Sequence, residues 1–364
     1  MTPSTVPSTY GDPFAPGLLR RLPAPPRTVA LLRASRIGDF LCAVPAFRAL
    51  RAALPEAEIA IITLPLLCEL ALRSPYLDRV IPFPGFPGIA EQFFDARRCV
   101  GFFQEMQAER FDLAIQMQGS GVYSNPFTLL LGAGATAGFV RPGEGSGRLD
   151  TALPYPERGH EVSRPLALAE FLGAPARGTV IEFPLWPADH AAAETLLREA
   201  VPPLIGLHPS ARDEARRWPA ERFAAVGAAL LRRHGGTLVL LGDAEAFATA
   251  RALRAALPAD LARLCLDLTG ATTLPALGAV IARLAVLITN DSGPAHIAYA
   301  LGAPTVTIFG GSSPEAYGPP ARGPFRVVSR DVPCRPAGPV PCSACAYEYR
   351  CLMGVAVADV FAAA

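Results

Sequence analysis

The 364-residue chain has no lysine; its 33 basic residues are all arginines, set against 32 aspartates and glutamates. Without a side-chain amine, Schiff-base catalysis and the lysine of a Walker-type phosphate loop are both excluded. Any cationic clamp has to be built from guanidinium groups. The formal net charge of +1 leaves no basic excess, whereas a protein held to nucleic acid by bulk electrostatics carries one; no nucleic-acid partner is expected. Although 51% of the residues are hydrophobic, no stretch stays apolar and uncharged for the ~20 residues of a membrane span, so the sequence reads as a soluble chain. The opening MTPSTVPSTYGDPFAPGLLRRLPAPPR lacks the basic-then-apolar order of a secretory leader. The cytoplasm is the expected compartment, with residues 1–27 a loosely ordered arm.

Short apolar runs alternate with amphipathic segments along the rest. TVALLRA (28–34), EIAIITL (58–64), DRVIPF (78–83), DLAIQM (112–117) and ATAGFV (135–140) are strand candidates. FLCAVPAFRALRAAL and the long stretch IAEQFFDARRCVGFFQEMQAERF have helical spacing. A second series follows a Pro-containing connection: PLIGLHP, TLVLLGD, ARLCLDLTG, VLITND and TVTIFG, separated by helices such as ERFAAVGAALLRRHG. Near-continuous apolar strands alternating with helices imply parallel sheets covered on both faces. The expected organisation is α/β: an N-terminal Rossmann-like domain over 28–180, a connection at 181–202, a C-terminal Rossmann-like domain over 203–330 and a Cys-containing tail with a last helix over 331–364. The two domains are expected to face each other across a cleft, with ligands at the carboxyl ends of the strands.

Four polar loops follow predicted strands in the C-terminal half: His208-Pro209-Ser210 with Arg212, Arg216, Arg217 and Trp218; Gly242-Asp243-Ala244-Glu245; Thr269 to Thr273; and Asp291-Ser292-Gly293. In the last, an apolar strand breaks at a tight turn and a helix begins, which presents backbone N–H groups where a helix N-terminus is electropositive. Ser210 and Ser292 offer hydroxyls, Gly293 permits close backbone approach, and arginines can balance a diphosphate. Asp243 or Glu245 can accept from ribose hydroxyls. His296, early on its helix, can either donate to a phosphate or satisfy a buried carbonyl. In the N-terminal half, Asp39 of Arg36-Ile37-Gly38-Asp39 is either an N-cap or a general base for an attacking hydroxyl. Cys334, Cys342, Cys345 and Cys351 crowd the tail; the order of expectation is thiols in a compact loop, then a structural zinc, for which the Cys-x-x-Cys at 342 has a suitable spacing although the outer spacings match no standard ribbon or finger, then a redox pair.

Taken together, RIGDFLCAVPAFRALRAALPEAEI, DLAIQMQGSGVYSNPF, IGLHPSARDEARRWPAERFAAV, LGDAEAFATARAL and LITNDSGPAHIAYALGAPTVTIFG resemble glycosyltransferase family 9, the ADP-heptose:lipopolysaccharide heptosyltransferases and their relatives. The resemblance runs in order from about residue 28 to the end and includes the cysteine-containing tail. It implies a GT-B fold and an inverting sugar transfer that requires no metal or other cofactor. By position, Asp39 would be the base. Ser210 and Arg216 would contact the donor diphosphate, Glu245 the ribose or sugar, Thr272 the nucleoside region and Asp291 the donor sugar, with Ser292, Gly293 and His296 around the phosphates. Arg36 and Gln118 stand as acceptor-side candidates. Arg216 occupies a position where the family commonly has lysine, which exchanges a point charge for a planar fork. The implied partners are a nucleotide sugar, with ADP-heptose expected, and a glycan or glycolipid acceptor. A lipid-anchored acceptor would bring the protein transiently to the inner membrane leaflet, where Phe14, Arg20 and Arg21 can face lipid. A nucleotide-sugar hydrolase or epimerase, or a non-catalytic nucleotide-sugar-binding protein on the same scaffold, remain as alternatives.

Overall fold

The computed structural model describes residues 9–335, 342 and 345–364. The chain forms two compact units, one running to Glu157 and resuming over Glu161–Thr179, the other comprising Arg158–His160 and Val180–Ala364.

The first unit is built on a six-stranded, all-parallel sheet of β1 (Thr28–Leu32), β2 (Glu58–Thr63), β3 (Arg79–Pro82), β4 (Leu113–Gln116), β5 (Ala135–Val140) and β6 (Thr151–Pro154). Its order is β3-β2-β1-β4-β5-β6. β1 lies in the middle, with Leu31 opposite Ile61 on one side and Ile115 on the other. Helices cover both faces, so Val29 to Leu32 are fully buried, and this is why the strand reads as a continuous apolar run. On one face Phe83, Phe102, Phe103 and Phe127 pack together, with the rings of Phe103 and Phe127 centred 5.0 Å apart.

The second unit repeats the design with β7 (Leu204–His208), β8 (Thr237–Leu240), β9 (Cys265–Asp267), β10 (Val286–Asn290), β11 (Thr305–Phe309) and β12 (Phe325–Ser329), in the order β12-β11-β10-β7-β8-β9. The expected connection at 181–202 packs into this unit: its helix Pro187–Leu196 lies against the helix Leu274–Ile281. The terminal helix Val357–Ala363 packs on Ala220–His234.

Three features depart from the sequence reading. β6 and β12 are additional edge strands. The helix expected from residue 89 begins only at Ala96, because the Asp95 carboxylate caps it by accepting from the Arg98 N–H at 2.8 Å. Residues 9–27 are tied down: Leu18 is fully buried, and Arg21 donates to the carbonyls of Tyr10 (2.6 Å), Asp12 (3.1 Å) and Ala15 (2.8 Å) and to Thr151 Oγ1 (3.0 Å). A guanidinium so engaged braces the fold. Among the described residues, no helix is long and apolar enough to cross a membrane.

Candidate active site

In each sheet the strand order reverses once, between β1 and β4 in the first and between β7 and β10 in the second. Loops diverge at such a point and leave a crevice at the carboxyl ends of the strands. The two strongest sequence motifs fall on these exits.

Asp39 follows β1. The N-cap of the helix Ile37–Ala53 is Arg36, in extended conformation, and Asp39 is the third helical residue. The N-cap reading of Asp39 is thereby corrected, since the cap position belongs to Arg36; the Asp39 side chain is 32% exposed. The segment around it is held from below by Arg33, which is 4% exposed. Arg33 Nε and Nη2 donate to the Asp39 carbonyl at 3.2 and 2.8 Å, Nη1 donates to the Met117 carbonyl at the end of β4, and Nη2 lies 3.9 Å from Asp39 Oδ1. Glu161, also buried, balances this charge through Oε1 at 2.8 Å, and its Oε2 takes Arg164 Nη1 at 2.8 Å. Burial on its own would lower the Arg33 pKa, but Glu161 and Asp39 outweigh it and raise it, so the guanidinium stays charged. Beside them burial, together with the Glu161 charge, pushes the Tyr155 phenol up to about 12. Arg36 carries an exposed guanidinium whose Nε pairs with Glu91 Oε2 at 2.8 Å.

In the second unit, three strand exits come together at Gly242. A Cβ there would lie 2.6 Å from Ala246 Cβ, too close, and in ordinary contact with Thr269 Cγ2 (3.4 Å) and Ser210 Oγ (3.7 Å), so glycine allows the tight turn after β8 that packs beside the loops after β7 and β9. Asn290, the buried last residue of β10, ties in a fourth: its Nδ2 donates to the Pro209 carbonyl at 2.8 Å and its Oδ1 accepts from the Trp218 N–H at 3.1 Å. His208 lies at the centre. Its Nε2 is 3.2 Å from Ser210 Oγ, and its Nδ1 is 3.1 Å from Thr289 Oγ1 and 3.3 Å from Ser292 Oγ. Burial lowers its pKa to about 4, only partly offset by Asp243, so a neutral imidazole orients both serine hydroxyls. Ser292 is the N-cap of the helix Gly293–Leu301, in fully extended backbone, with its hydroxyl turned to His208, Thr289 and the Asn290 carbonyl (3.1 Å).

Two predicted donor contacts acquire a different character. Asp291 is 2% exposed; its Oδ2 accepts from Ser312 Oγ at 2.5 Å and lies 3.6 Å from Arg216 Nη1. Burial raises its pKa against the pull of Arg216 and Ser312. The carboxylate thus anchors Arg216, whose Nη2 also pairs with Asp213. His296 is 3% exposed, edge-on to the rings of Tyr299 and Tyr317. Burial, with His160 and Arg216 adding to it, lowers its pKa to about 3, so it supplies no positive charge. Glu245 is exposed on a short turn whose N–H donates to Asp243 Oδ1 at 3.1 Å, and Thr272 is half-buried just ahead of the helix cap Thr273. Sequence reasoning passed over Arg33, Glu161, Asn290, Asp213 and Ser312; an arginine closing the apolar run of β1 was the one signal on offer.

Among the described residues, no group of three or more His, Cys, Asp or Glu is placed to hold a metal ion, and Cys334, Cys342, Cys345 and Cys351 are free thiols. Cys351 is buried among Ile308, Leu352 and Val355, while Cys345 Sγ accepts the N–H groups of Tyr347 (3.4 Å) and Tyr349 (3.3 Å). Part of the intervening segment lies outside the described residues.

The family model for glycosyltransferase family 9 (heptosyltransferase) matches residues 99–346. The chain is 28% identical to lipopolysaccharide heptosyltransferase 2 of Escherichia coli K12 over 317 residues, covering 82% of this chain and 87% of that protein. It is 37% identical to lipooligosaccharide heptosyltransferase 2 of Haemophilus influenzae over 119 residues, 32% of this chain and about a third (34%) of that protein. Among solved structures, E. coli ADP-heptose lps heptosyltransferase II superposes with a TM-score of 0.73 at 23% identity, over 92% of this chain and 97% of that one. A family 9 glycosyl transferase from Veillonella parvula gives 0.75 at 20% identity, over 93% and 96%. These likenesses establish the expected GT-B fold.

Proposed function

The chain belongs to glycosyltransferase family 9, and on that premise we propose that it moves a heptose from ADP-heptose to a hydroxyl of a lipopolysaccharide-core-like acceptor, with inversion. The observation that carries this reading is positional: Asp39 and the Ser210–Ser292 loops each occupy the strand-order reversal of their own sheet.

Asp39 takes the proton of the acceptor hydroxyl. The oxygen attacks the anomeric carbon from the side opposite the nucleotide, the bond from that carbon to the diphosphate oxygen breaks, and ADP leaves with the electron pair. Asp39 is suited to the first step because its carboxylate is partly open while Arg33 fixes its backbone. The second step needs positive potential at the diphosphate. Arg216 supplies a full charge, held in place by Asp213 and Asp291. The N-terminus of Gly293–Leu301 supplies partial charge, and the hydroxyls of Ser210 and Ser292 are oriented by neutral His208. On this reading the transfer requires no divalent metal, Glu245 and Thr272 face the ribose and nucleoside, Arg36 faces the acceptor, and a glycolipid acceptor brings the protein to the cytoplasmic face of a membrane.

Asp39→Ala tests it. With ADP-heptose and heptose-deficient lipopolysaccharide, turnover should fall by about 10²–10⁴-fold while ADP titrates with unchanged affinity, and EDTA should leave the wild-type rate unaltered. Full turnover by the variant removes Asp39 as the base, and an absolute requirement for magnesium removes the metal-free assignment.

A further inference from the structure

The cysteine-bearing tail reaches the loop that carries Arg216, and both belong to the second unit. Arg216 ends a short helical turn, Glu214–Arg216, whose middle residue, Ala215, is buried. The Ala215 carbonyl accepts the Gly311 N–H at 2.9 Å, and the Gly311 carbonyl in turn accepts the Cys342 N–H at 2.9 Å. This approach leaves no room for side chains. A Cβ on Gly310 would lie 2.4 Å from the Ala215 oxygen and 2.9 Å from Leu352 Cδ1, and one on Gly311 would lie 2.9 Å from Ala215 Cβ. The turn is also held through its first residue, because Tyr349 Oη donates to Glu214 Oε2 at 3.1 Å. A third link comes from Arg335, whose Nη1 donates at 3.3 Å to the carbonyl of Ser312, the residue whose hydroxyl holds Asp291.

Tyr349 is held in an uncommon backbone state. Glu348 and Tyr349 have φ of +51° and +52°, a left-handed pair without a glycine. Non-glycine residues rarely adopt this region and stay there when their surroundings determine it. The determinant here is a thiol. Cys345 Sγ accepts the N–H of Tyr347 at 3.4 Å and that of Tyr349 itself at 3.3 Å, so its two donors flank Glu348. The Tyr349 ring packs against the core of the unit, which fixes the side chain as the thiol fixes the backbone. The hydrogen bond to Glu214 raises the phenol above its ordinary pKa, so it stays a donor.

A cation that meets a diphosphate has to stand at a defined place, and a misplacement of about 1 Å costs on the order of 10²-fold. Asp213 and Asp291 hold the Arg216 side chain; the tail holds the backbone from which it extends. We infer that Tyr349 and Cys345 are positioning residues for the donor diphosphate: the thiol sets the tyrosine turn, the phenol fixes Glu214, and the turn so fixed aims Arg216. The inference rests on the reading of Arg216 as a diphosphate ligand.

The test measures the ADP affinity of the full chain by calorimetry. Tyr349→Phe, which removes one oxygen, and Glu214→Ala should each weaken ADP about five-fold, the scale of one hydrogen bond. Glu214→Gln keeps an acceptor oxygen and should bind like wild type. Cys345→Ala should lose as much as Tyr349→Phe, whereas Cys345→Ser, whose hydroxyl accepts the same N–H groups, should keep the affinity. A double-mutant cycle separates positioning from general support: in an Arg216→Ala background Tyr349→Phe should cost nothing further, because it acts through Arg216. The same five-fold loss in that background shows a general loosening of the unit and overturns the inference, as does unchanged affinity in Tyr349→Phe. Failure of the functional reading gives a different result and removes the premise: Arg216→Ala binds ADP as tightly as wild type, or wild type does not bind ADP.

Discussion

Acidification should unfold the second unit selectively, and the size of the effect follows from two buried imidazoles. His208 and His296 titrate in the folded chain at about 4 and about 3, because burial disfavours their charged forms. In the unfolded chain each returns to a value near 6.5. Both folded values lie below the unfolded one, so between them the unfolded state binds more protons and stability falls as pH drops below about 6.5. At pH 5 each unfolded imidazole has been protonated over roughly 1.5 units while its folded counterpart stays neutral; at about 1.4 kcal/mol per unit this is about 2 kcal/mol each, or about 4 kcal/mol together. Asp291 works in the opposite sense, since a carboxyl whose pKa is raised by burial is relieved when it is protonated. A variant isolates the histidine contribution. His208→Gln keeps polar contacts to Ser210 and Thr289 but removes one titration, and Asp291 is common to both proteins, so it cancels in the difference. The assay is urea unfolding followed by tryptophan fluorescence, because both tryptophans, Trp186 and Trp218, lie in the second unit and report on it alone. The variant should lose about 2 kcal/mol less than wild type between pH 7 and pH 5. Equal losses in the two proteins would refute the assignment of a buried, neutral His208.

Arg33→Met should destabilise the first unit by about 3–5 kcal/mol, because it leaves the buried Glu161 carboxylate with one partner fewer; adding Glu161→Gln should restore part of the loss. Calorimetry reads this, and a melting profile identical to wild type would show that the ionic cluster does not brace the Asp39 segment. Gly242→Ala should cost about 1–3 kcal/mol, since its Cβ would lie 2.6 Å from that of Ala246, and should weaken ADP binding by displacing the turn after β8 that carries Asp243 and Glu245. A variant that binds ADP like wild type would separate this turn from the nucleotide.

The architecture was legible where burial leaves a one-dimensional trace. Central parallel strands such as TVALL and VLITN are covered on both faces, so their apolar character is unbroken and their ends are sharp. β6 and β12 leave no such trace: TALP carries a proline at an edge, and FRVVS is exposed or half-buried throughout. The false helical start before Ala96 arose because apolar residues such as Phe93 and Phe94 have helical spacing yet face solvent, whereas one carboxylate, Asp95, sets the boundary. The site divides in the same way. Asp291-Ser292-Gly293 could be found because it interrupts an apolar strand at a helix N-terminus, which is a local event. What each polar atom does there could not, because it is decided by partners far along the chain. Asp291 is turned inward by Ser312 and Arg216, His296 is neutralised by the burial that Tyr299 and Tyr317 help to provide, and Arg33 meets Glu161 across 128 positions. Asn290 shows the limit most clearly. At the end of an apolar strand an asparagine reads as ordinary turn chemistry, yet here it accepts from Trp218 and donates to Pro209, binding the exits of β7 and β10 at the one place where the strand order reverses. Sequence periodicity locates that reversal only after the sheet order is known, so the strands can be read from the chain while the side chain that joins them has to be read from the fold.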